Sequence, residues 1–203
     1  GAISPTLANL VLDGMEQYIW DNINIGKKGV VKTKNLHKVH MIRYADDFIV
    51  TGDSKETLEK VKKCIISFMA IRGLELSEEK TLITNIHDGF DFLGWNFRKY
   101  NHKLIIKPSR KSIKSFSDML TETVRYYLPA PQELLILKLN QMLRGWCNYH
   151  SAVCSKDTFE KMDFLLFKKL LWWMKKRHTN KHIHRFYDKY WKTIGNRHNV
   201  FSD

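Results

Sequence analysis

The sequence predicts an α+β chain: antiparallel β-structure with packed helices over residues 1–97, then an all-α, three-helix segment over residues 98–203. Three observations lead there. β-prone runs bounded by turn residues, such as 39–44, 48–51 and 90–97, gather in the first half. From Ser109 onward apolar residues recur at helical spacing in three stretches joined by short links. Charge divides the same way. Residues 1–97 hold 12 Lys and Arg against 13 Asp and Glu, residues 98–203 hold 22 against 8, and the whole chain carries +13. A near-neutral half joined to a strongly basic one points to a polyanionic partner, most simply nucleic acid.

In the first half, Ser4-Pro5 reads as an N-cap followed by proline at the first helical position. Leu7, Leu10, Val11, Met15, Tyr18 and Ile19 then fall near one helical face. Residues 22–37, with Gly26, Gly29 and several lysines, read as a solvated loop or loose hairpin. Val39, Met41 and Val50 alternate with other residues around Asp46 and Asp47, giving strand, tight turn, strand. Asp53 then caps a helix with Glu56 three residues on, Leu58, Val61, Ile65, Phe68 and Met69 form its stripe, and Gly73 ends it. Residues 74–76 and 81–84 read as short extended pieces, and residues 90–97 as one β run on which residues 103–107 pair back across Asn101-His102.

In the second half, Ile113, Phe116, Met119, Leu120 and Val124 make the first helical stripe, ended by Pro129 and Pro131. Leu135, Leu139, Met142 and Leu143 face inward on a second helix over residues 133–149. Ser155 caps a third, through Phe159, Met162, Leu166, Leu170 and Trp173 to Arg177, with a short extension after about residue 178.

Composition excludes several classes. Cys64, Cys147 and Cys154 are odd in number and lack a Cys-x-x-Cys pair, so free thiols are expected and no thiolate zinc site. His178, His182 and His184 have no cysteine or acid beside them to complete a zinc set. The greasiest run, residues 164–174, is interrupted by Lys168 and Lys169, so no membrane partner is expected. Free thiols and the lack of a signal-peptide pattern lead to the expectation of a cytoplasmic or organellar rather than secreted location.

The adjacent carboxylates Asp46 and Asp47 carry the chemistry. Two such groups repel, and Arg43 is the one cation nearby in sequence, so a metal cation is the natural third party. Mg²⁺ takes one or two protein oxygens along with substrate phosphates. An Asp-Asp pair is also an ordinary solvated turn, and only its setting distinguishes the two readings.

That setting is a series. Tyr44-Ala45-Asp46-Asp47 between hydrophobic strands resembles the catalytic hairpin of reverse transcriptases. Gly1-Ala2-Ile3-Ser4-Pro5-Thr6-Leu7-Ala8-Asn9-Leu10, followed by Leu12-Asp13, resembles the motif before it. Leu76-Ser77-Glu78-Glu79-Lys80-Thr81 resembles the motif after the hairpin, and Phe90-Asp91-Phe92-Leu93-Gly94-Trp95 the primer-gripping strand. Arg144-Gly145-Trp146-Cys147-Asn148-Tyr149-His150 resembles the thumb signature of group II intron-encoded reverse transcriptases and maturases, and Arg177-His178-Thr179-Asn180-Lys181 a motif just beyond it, with Thr for the usual Pro. Their order over nearly the whole chain makes the resemblance specific.

The resemblance implies the C-terminal part of a right-hand polymerase palm over residues 1–97 and a helical thumb, or maturase-specific domain, over residues 98–203. It implies an RNA-directed DNA polymerase and intron splicing cofactor with a two-ion Mg²⁺ site, in which Asp46 is a direct ligand, Asp47 a supporting one, and a third carboxylate is missing from this chain. Lys80 would lie near the leaving pyrophosphate, although it equally reads as a solvated lysine in a Glu-rich turn. Phe92, Leu93 and Gly94 would position the primer, with Gly94 permitting close approach. Arg144, Asn148, Tyr149, His150, Lys175, Lys176 and Arg177 would bind RNA, while Trp146 reads as core. The implied partners are group II intron RNA, an RNA template with DNA primer and nucleoside triphosphates, and target DNA in a full-length protein. The fingers and first catalytic aspartate would precede Gly1, and a DNA-binding or endonuclease region would follow Asp203, so the chain reads as a fragment, inactive alone. Competing readings are an RNA-binding splicing cofactor without polymerase activity and a retron or CRISPR-associated reverse transcriptase.

Overall fold

A computed structural model describes residues 4–25, 34–35, 37–178 and 184–202. Gly1 to Ile3, most of the lysine-rich loop, and Thr179, Asn180, Lys181 and His182 lie outside the described residues. The chain forms two compact units, residues 1–85 and 86–203. Both combine helices with antiparallel strands, so the chain as a whole has the α+β composition expected, whereas residues 98–203 are not the all-α segment expected.

In the first unit, helices α1 (Ser4–Val11) and α2 (Met15–Ile23) precede a hairpin of β1 (His40–Tyr44) and β2 (Asp47–Thr51), followed by α3 (Lys55–Ala70). The single opening helix expected from the pattern is two. Gly14 sits at φ 79°, a left-handed value that interrupts the right-handed helix and shifts its phase. Leu12, Met15 and Ile19 therefore enter the core, whereas Leu7 and Leu10 stay exposed. They meet Val61, Ile65, Phe68 and Met69 of α3, with Met41, Phe48 and Val50 of the hairpin packed beside them. The N-cap of α3 is Ser54, not Asp53: the Ser54 hydroxyl accepts the Thr57 N–H at 3.2 Å. Asp53 accepts the Thr57 hydroxyl instead, and that bond is the chief cause of its lowered pKa. Gly73, at φ 68°, follows the end of α3, where the Leu74 N–H returns to the Met69 carbonyl. Residues 74–76 and 81–84 join no strand.

The second unit starts with a three-stranded antiparallel sheet of β3 (Phe90–Phe92), β4 (Trp95–Tyr100) and β5 (Lys103–Pro108). The continuous β run expected over residues 90–97 is a hairpin, because Leu93 and Gly94 both have positive φ, 48° and 78°. Two such residues make a turn matching the right-handed twist of strands. The β5 pairing is as expected, with Tyr100 opposite Lys103 across Asn101-His102.

Helices α4 (Arg110–Tyr126), α5 (Gln132–His150) and α6 (Lys156–Arg177) occupy the three stretches expected from apolar spacing. Ser109 caps α4 by accepting the Ser112 N–H, but the Ser155 hydroxyl turns back to the Val153 carbonyl and leaves α6 without a side-chain cap. Phe116, Leu120, Val124, Leu135, Leu139, Met162, Leu166, Leu170 and Trp173 form the core, whereas Met119, expected inward, is half exposed. The segment is not purely helical. After α7 (His184–Tyr190) comes a hairpin of β6 (Trp191–Ile194) and β7 (Arg197–Phe201), and Tyr190 of α7 joins the same core with Trp191 and Phe201 of the hairpin. The Gln132 side chain ties α5 to the hairpin's end by donating to the Ser202 carbonyl at 2.9 Å.

The three cysteines are free, and burial pushes the Cys64 and Cys147 thiols up in pKa. No helix among the described residues is long and apolar enough to cross a membrane. Trp173 is fully buried and donates its indole N–H to the Tyr127 carbonyl at 3.0 Å. Trp173→Ala is expected to cost about 3–5 kcal/mol, the usual scale for emptying an aromatic site. Urea unfolding followed by far-ultraviolet circular dichroism measures it, and a loss under about 1 kcal/mol, near the centre of the distribution for ordinary mutations, would contradict this packing.

Candidate functional site

The carboxylates Asp46 and Asp47 sit at a two-residue turn. Tyr44 pairs with Asp47, leaving Ala45 and Asp46 at the tip, and Ala45 has φ 55°. A left-handed backbone costs a non-glycine residue about 1 kcal/mol, so the rest of the hairpin holds the turn in place. Cross-strand partners share a face. Phe48 and Val50 point with Met41 into the core, while Asp47 shares the outer face with Tyr44 and Ile42, which are exposed.

Arg43 does not neutralise these acids. Its guanidinium donates to the Asn9 side chain at 2.8 Å and to the Ala45 carbonyl at 3.1 Å. Arg43 thus ties the strained turn to α1 and brings together two of the stretches singled out in the sequence. Asp46 and Asp47 are both exposed and have no ion pair among the described residues. Two adjacent hard oxygen donors without a cation suit Mg²⁺ as part of a ligand set. No group of three candidate metal ligands occurs among the described residues. Lys80 lies exposed in the turn after residue 77 and makes no ion pair with either acid.

In the second unit the 93–94 turn is held by side chains of the Arg144–His150 stretch. The Tyr149 hydroxyl donates to the Leu93 carbonyl at 2.6 Å, and the Ser109 N–H donates to the Gly94 carbonyl at 2.9 Å. The Tyr149 ring stacks on Trp95 at 5.2 Å between centroids. A Cβ on Gly94 would meet only ordinary contacts, at 3.7 Å and beyond. Within the unit, glycine is therefore needed here for its positive φ.

His150 is 1% exposed and cannot offer a face to RNA, so its place among the RNA contacts is corrected. Its Nδ1 accepts the Trp95 indole N–H at 2.9 Å. That acceptor role puts the imidazole proton on Nε2, which faces the Ser112 hydroxyl at 3.2 Å. One residue thus links β4, α4 and α5. Burial pushes the His150 pKa down, and protonating Nδ1 would set two donors against each other. Trp146 stacks on Phe116 at 4.6 Å, in keeping with a core role.

The other expected RNA contacts divide. Arg144, Asn148, Lys175 and Lys176 are exposed. Arg177 donates to the Ala130 carbonyl at 2.6 Å and covers the Trp173 ring at 4.5 Å, so it pins α6 to the α4–α5 link. His178 stacks on Phe186 and bonds with the Tyr190 hydroxyl. Sequence reasoning missed Trp95 and Ser112, although an aromatic beside a turn glycine was the available signal.

Known families match both parts of the chain. The model described as "Reverse transcriptase (RNA-dependent DNA polymerase)" matches residues 1–97, and the one described as "Group II intron, maturase-specific domain" matches residues 113–191. The chain belongs to the group II intron-encoded reverse transcriptases and maturases. Group II intron-encoded protein LtrA of Lactococcus lactis subsp. cremoris is 28% identical over 156 residues, 62% of this chain and 26% of its own length. Protein YkfC of Escherichia coli is 32% identical over 130 residues, 54% and 32%. An uncharacterized 91 kDa protein in the cob intron of Schizosaccharomyces pombe is 29% identical over 157 residues, 65% and 19%. The aligned stretch spans a third or less of each relative. Within the family's maturase-specific region, then, lie both the exposed Arg144 and the Tyr149 and His150 that hold the 93–94 turn.

His150 gives this unit a pH dependence with a definite sign. Its folded pKa lies below the ordinary value, so the unfolded chain binds the proton more readily. The stability held at neutral pH is expected to fall as pH drops through the ordinary imidazole value of about 6.5, levelling off below the folded pKa. His150→Gln should be less stable at pH 8 and lack the His150 step. Urea melts across this pH range measure both, and an identical pH profile in the variant would contradict the link.

Proposed function

We propose that this chain supplies the metal-binding hairpin and the basic RNA-binding unit of an RNA-directed DNA polymerase and intron maturase. The observation that carries the reading is the ordered pair of family matches, with an exposed Asp46-Asp47 turn in the first and a basic helical unit in the second. The substrates of this reading are a primer 3′ hydroxyl on an RNA template and a deoxynucleoside triphosphate. The RNA partner is a structured group II intron.

In this reading Asp46 and Asp47 hold Mg²⁺, Asp46 directly and Asp47 in support. The bound metal would supply charge stabilisation to the reacting phosphate. The chain's residues provide placement. Arg43 and Asn9 keep the Ala45 turn fixed, so the two carboxylates stay at the tip without a cation of their own. Phe92, Leu93 and Gly94 present a rigid turn to the primer strand, fixed by Tyr149, with Trp95 and His150 bracing that aromatic contact. Lys80 is assigned to the leaving pyrophosphate. Arg144 and Asn148 contact RNA from α5, where an arginine fork can hold a phosphate bidentately. Lys175 and Lys176 add charge at the end of α6, whereas Arg177 acts by holding that helix in place.

A full-length protein carrying Asp46→Ala is expected to lose primer extension while keeping intron RNA binding within a few-fold. Extension at the wild-type rate would remove Asp46 from the metal site. Residues 1–203 alone are expected to give no Mg²⁺-dependent extension, because two carboxylates are an incomplete set for two ions. Robust extension by the purified chain would contradict that count.

A further inference from the structure

The outward face of α6 is left free by the core. Asp157, Lys161, Phe164, Lys168, Trp172 and Lys175 follow one another three or four residues apart, and so share one stripe of the helix. Met162, Leu166, Leu170 and Trp173 are buried on the opposite side. Phe164 is 56% exposed and Trp172 37% exposed. Lys161, Lys168 and Lys175 are exposed and make no ion pair among the described residues. Lys168 instead lies 4.4 Å over the Phe164 ring and braces it. From Phe164 to the end of α6 the helix has five cationic residues and no acid. Two of these are committed inside the unit, Lys169 to the Thr121 hydroxyl and Arg177 to the Ala130 carbonyl.

Spacing gives the stripe a regular form. The three lysines recur every seven residues, about 10 Å apart along the axis at 1.5 Å per residue, with an exposed ring in each interval. The lysines select a polyanion. The rings select one that presents flat apolar faces. A duplex keeps its base faces stacked inside, whereas unpaired strands offer them.

We infer that this stripe of α6 binds unpaired RNA, with phosphates on Lys161, Lys168 and Lys175 and bases stacked on Phe164 and Trp172. The inference rests on the proposed RNA partner and assigns to it a surface on a different helix from Arg144 and Asn148. Unpaired segments of a folded RNA, such as loops and bulges, are the ligand.

The test uses the 203-residue chain with labelled oligouridine, the same strand annealed to its complement, and phosphatidylserine vesicles as the competing anionic surface. Fluorescence anisotropy is read at several salt concentrations. The wild type should bind oligouridine more tightly than the duplex and leave the vesicles unbound. Phe164→Ala and Trp172→Ala should each weaken oligouridine binding roughly five-fold to a hundred-fold, the scale of one base–aromatic stack, without changing the salt slope. Trp172→Phe should recover most of that loss. Replacing Lys161, Lys168 and Lys175 by Gln should flatten the slope of log affinity against log salt by about two, at roughly 0.7 per single-strand phosphate. The same change at Lys55, Lys60 and Lys63 of α3 should not.

All these side chains are exposed, and circular dichroism melting checks that each variant is folded. Wild-type affinity in the folded aromatic variants, equal binding of duplex and single strand, or vesicle capture through the same residues would overturn the inference. If the wild type still selects intron RNA in those cases, the maturase reading stands and the stripe alone is wrong. If the wild type binds no RNA, both fall.

Discussion

The second unit depends on one hydrogen bond, the indole N–H of the half-buried Trp95 donated to the buried His150 imidazole. It spans 55 residues of sequence and connects the sheet to the last turn of α5. A buried acceptor without a donor costs about 1–3 kcal/mol, so the buried imidazole requires the Trp95 donor. Trp95 begins β4 immediately after the 93–94 turn, and His150 ends α5 immediately after Tyr149. Fixing that pair therefore sets the Trp95–Tyr149 stack, and with it the Tyr149 bond to the Leu93 carbonyl. Two stretches that resemble nucleic-acid contacts spend much of their chemistry on each other. Arg144 and Asn148 remain exposed, as does part of the Tyr149 ring.

The first unit solves a related problem with a cation. Two adjacent carboxylates stand at a hairpin turn and are not neutralised by any ion pair among the described residues. Arg43 is close enough in sequence to do so, yet it bonds to a neutral amide and a carbonyl. The arginine thereby supports the backbone of the turn and leaves both acids free for an outside cation. An Arg43 that paired with Asp46 would compete directly with any cation approaching the turn.

Local signals were the legible part of the sequence. The three helices of the second unit, the Asp46-Asp47 hairpin and the β4–β5 pairing follow from periodicity and turn residues, which need no knowledge of distant partners. Glycines were underweighted. Gly14 and Gly94 each stood inside a stretch read as one element, and each divides it through a left-handed backbone. Roles set by burial were illegible, because they depend on residues far away in the chain. His150 looks like an RNA contact until Trp95 and Ser112 close around it, and Arg177 looks like free charge until the Ala130 carbonyl is placed beside it. Aromatics at Tyr187, Tyr190, Trp191 and Phe201 were the available sign that the last segment is core rather than extension.

That last segment bears on how the protein is made. The Trp173 side of α6 is covered by Tyr190 and Phe201, and Gln132 waits for the Ser202 carbonyl 70 residues later. A ribosome adding about 5–20 residues per second needs roughly one to five seconds to pass from the end of α6 to that hairpin. Over that interval the nascent helical unit carries an uncovered aromatic face, a natural target for a chaperone that holds apolar surface. A ribosome stalled in this stretch would release a product with most of its positive charge in place and its core open.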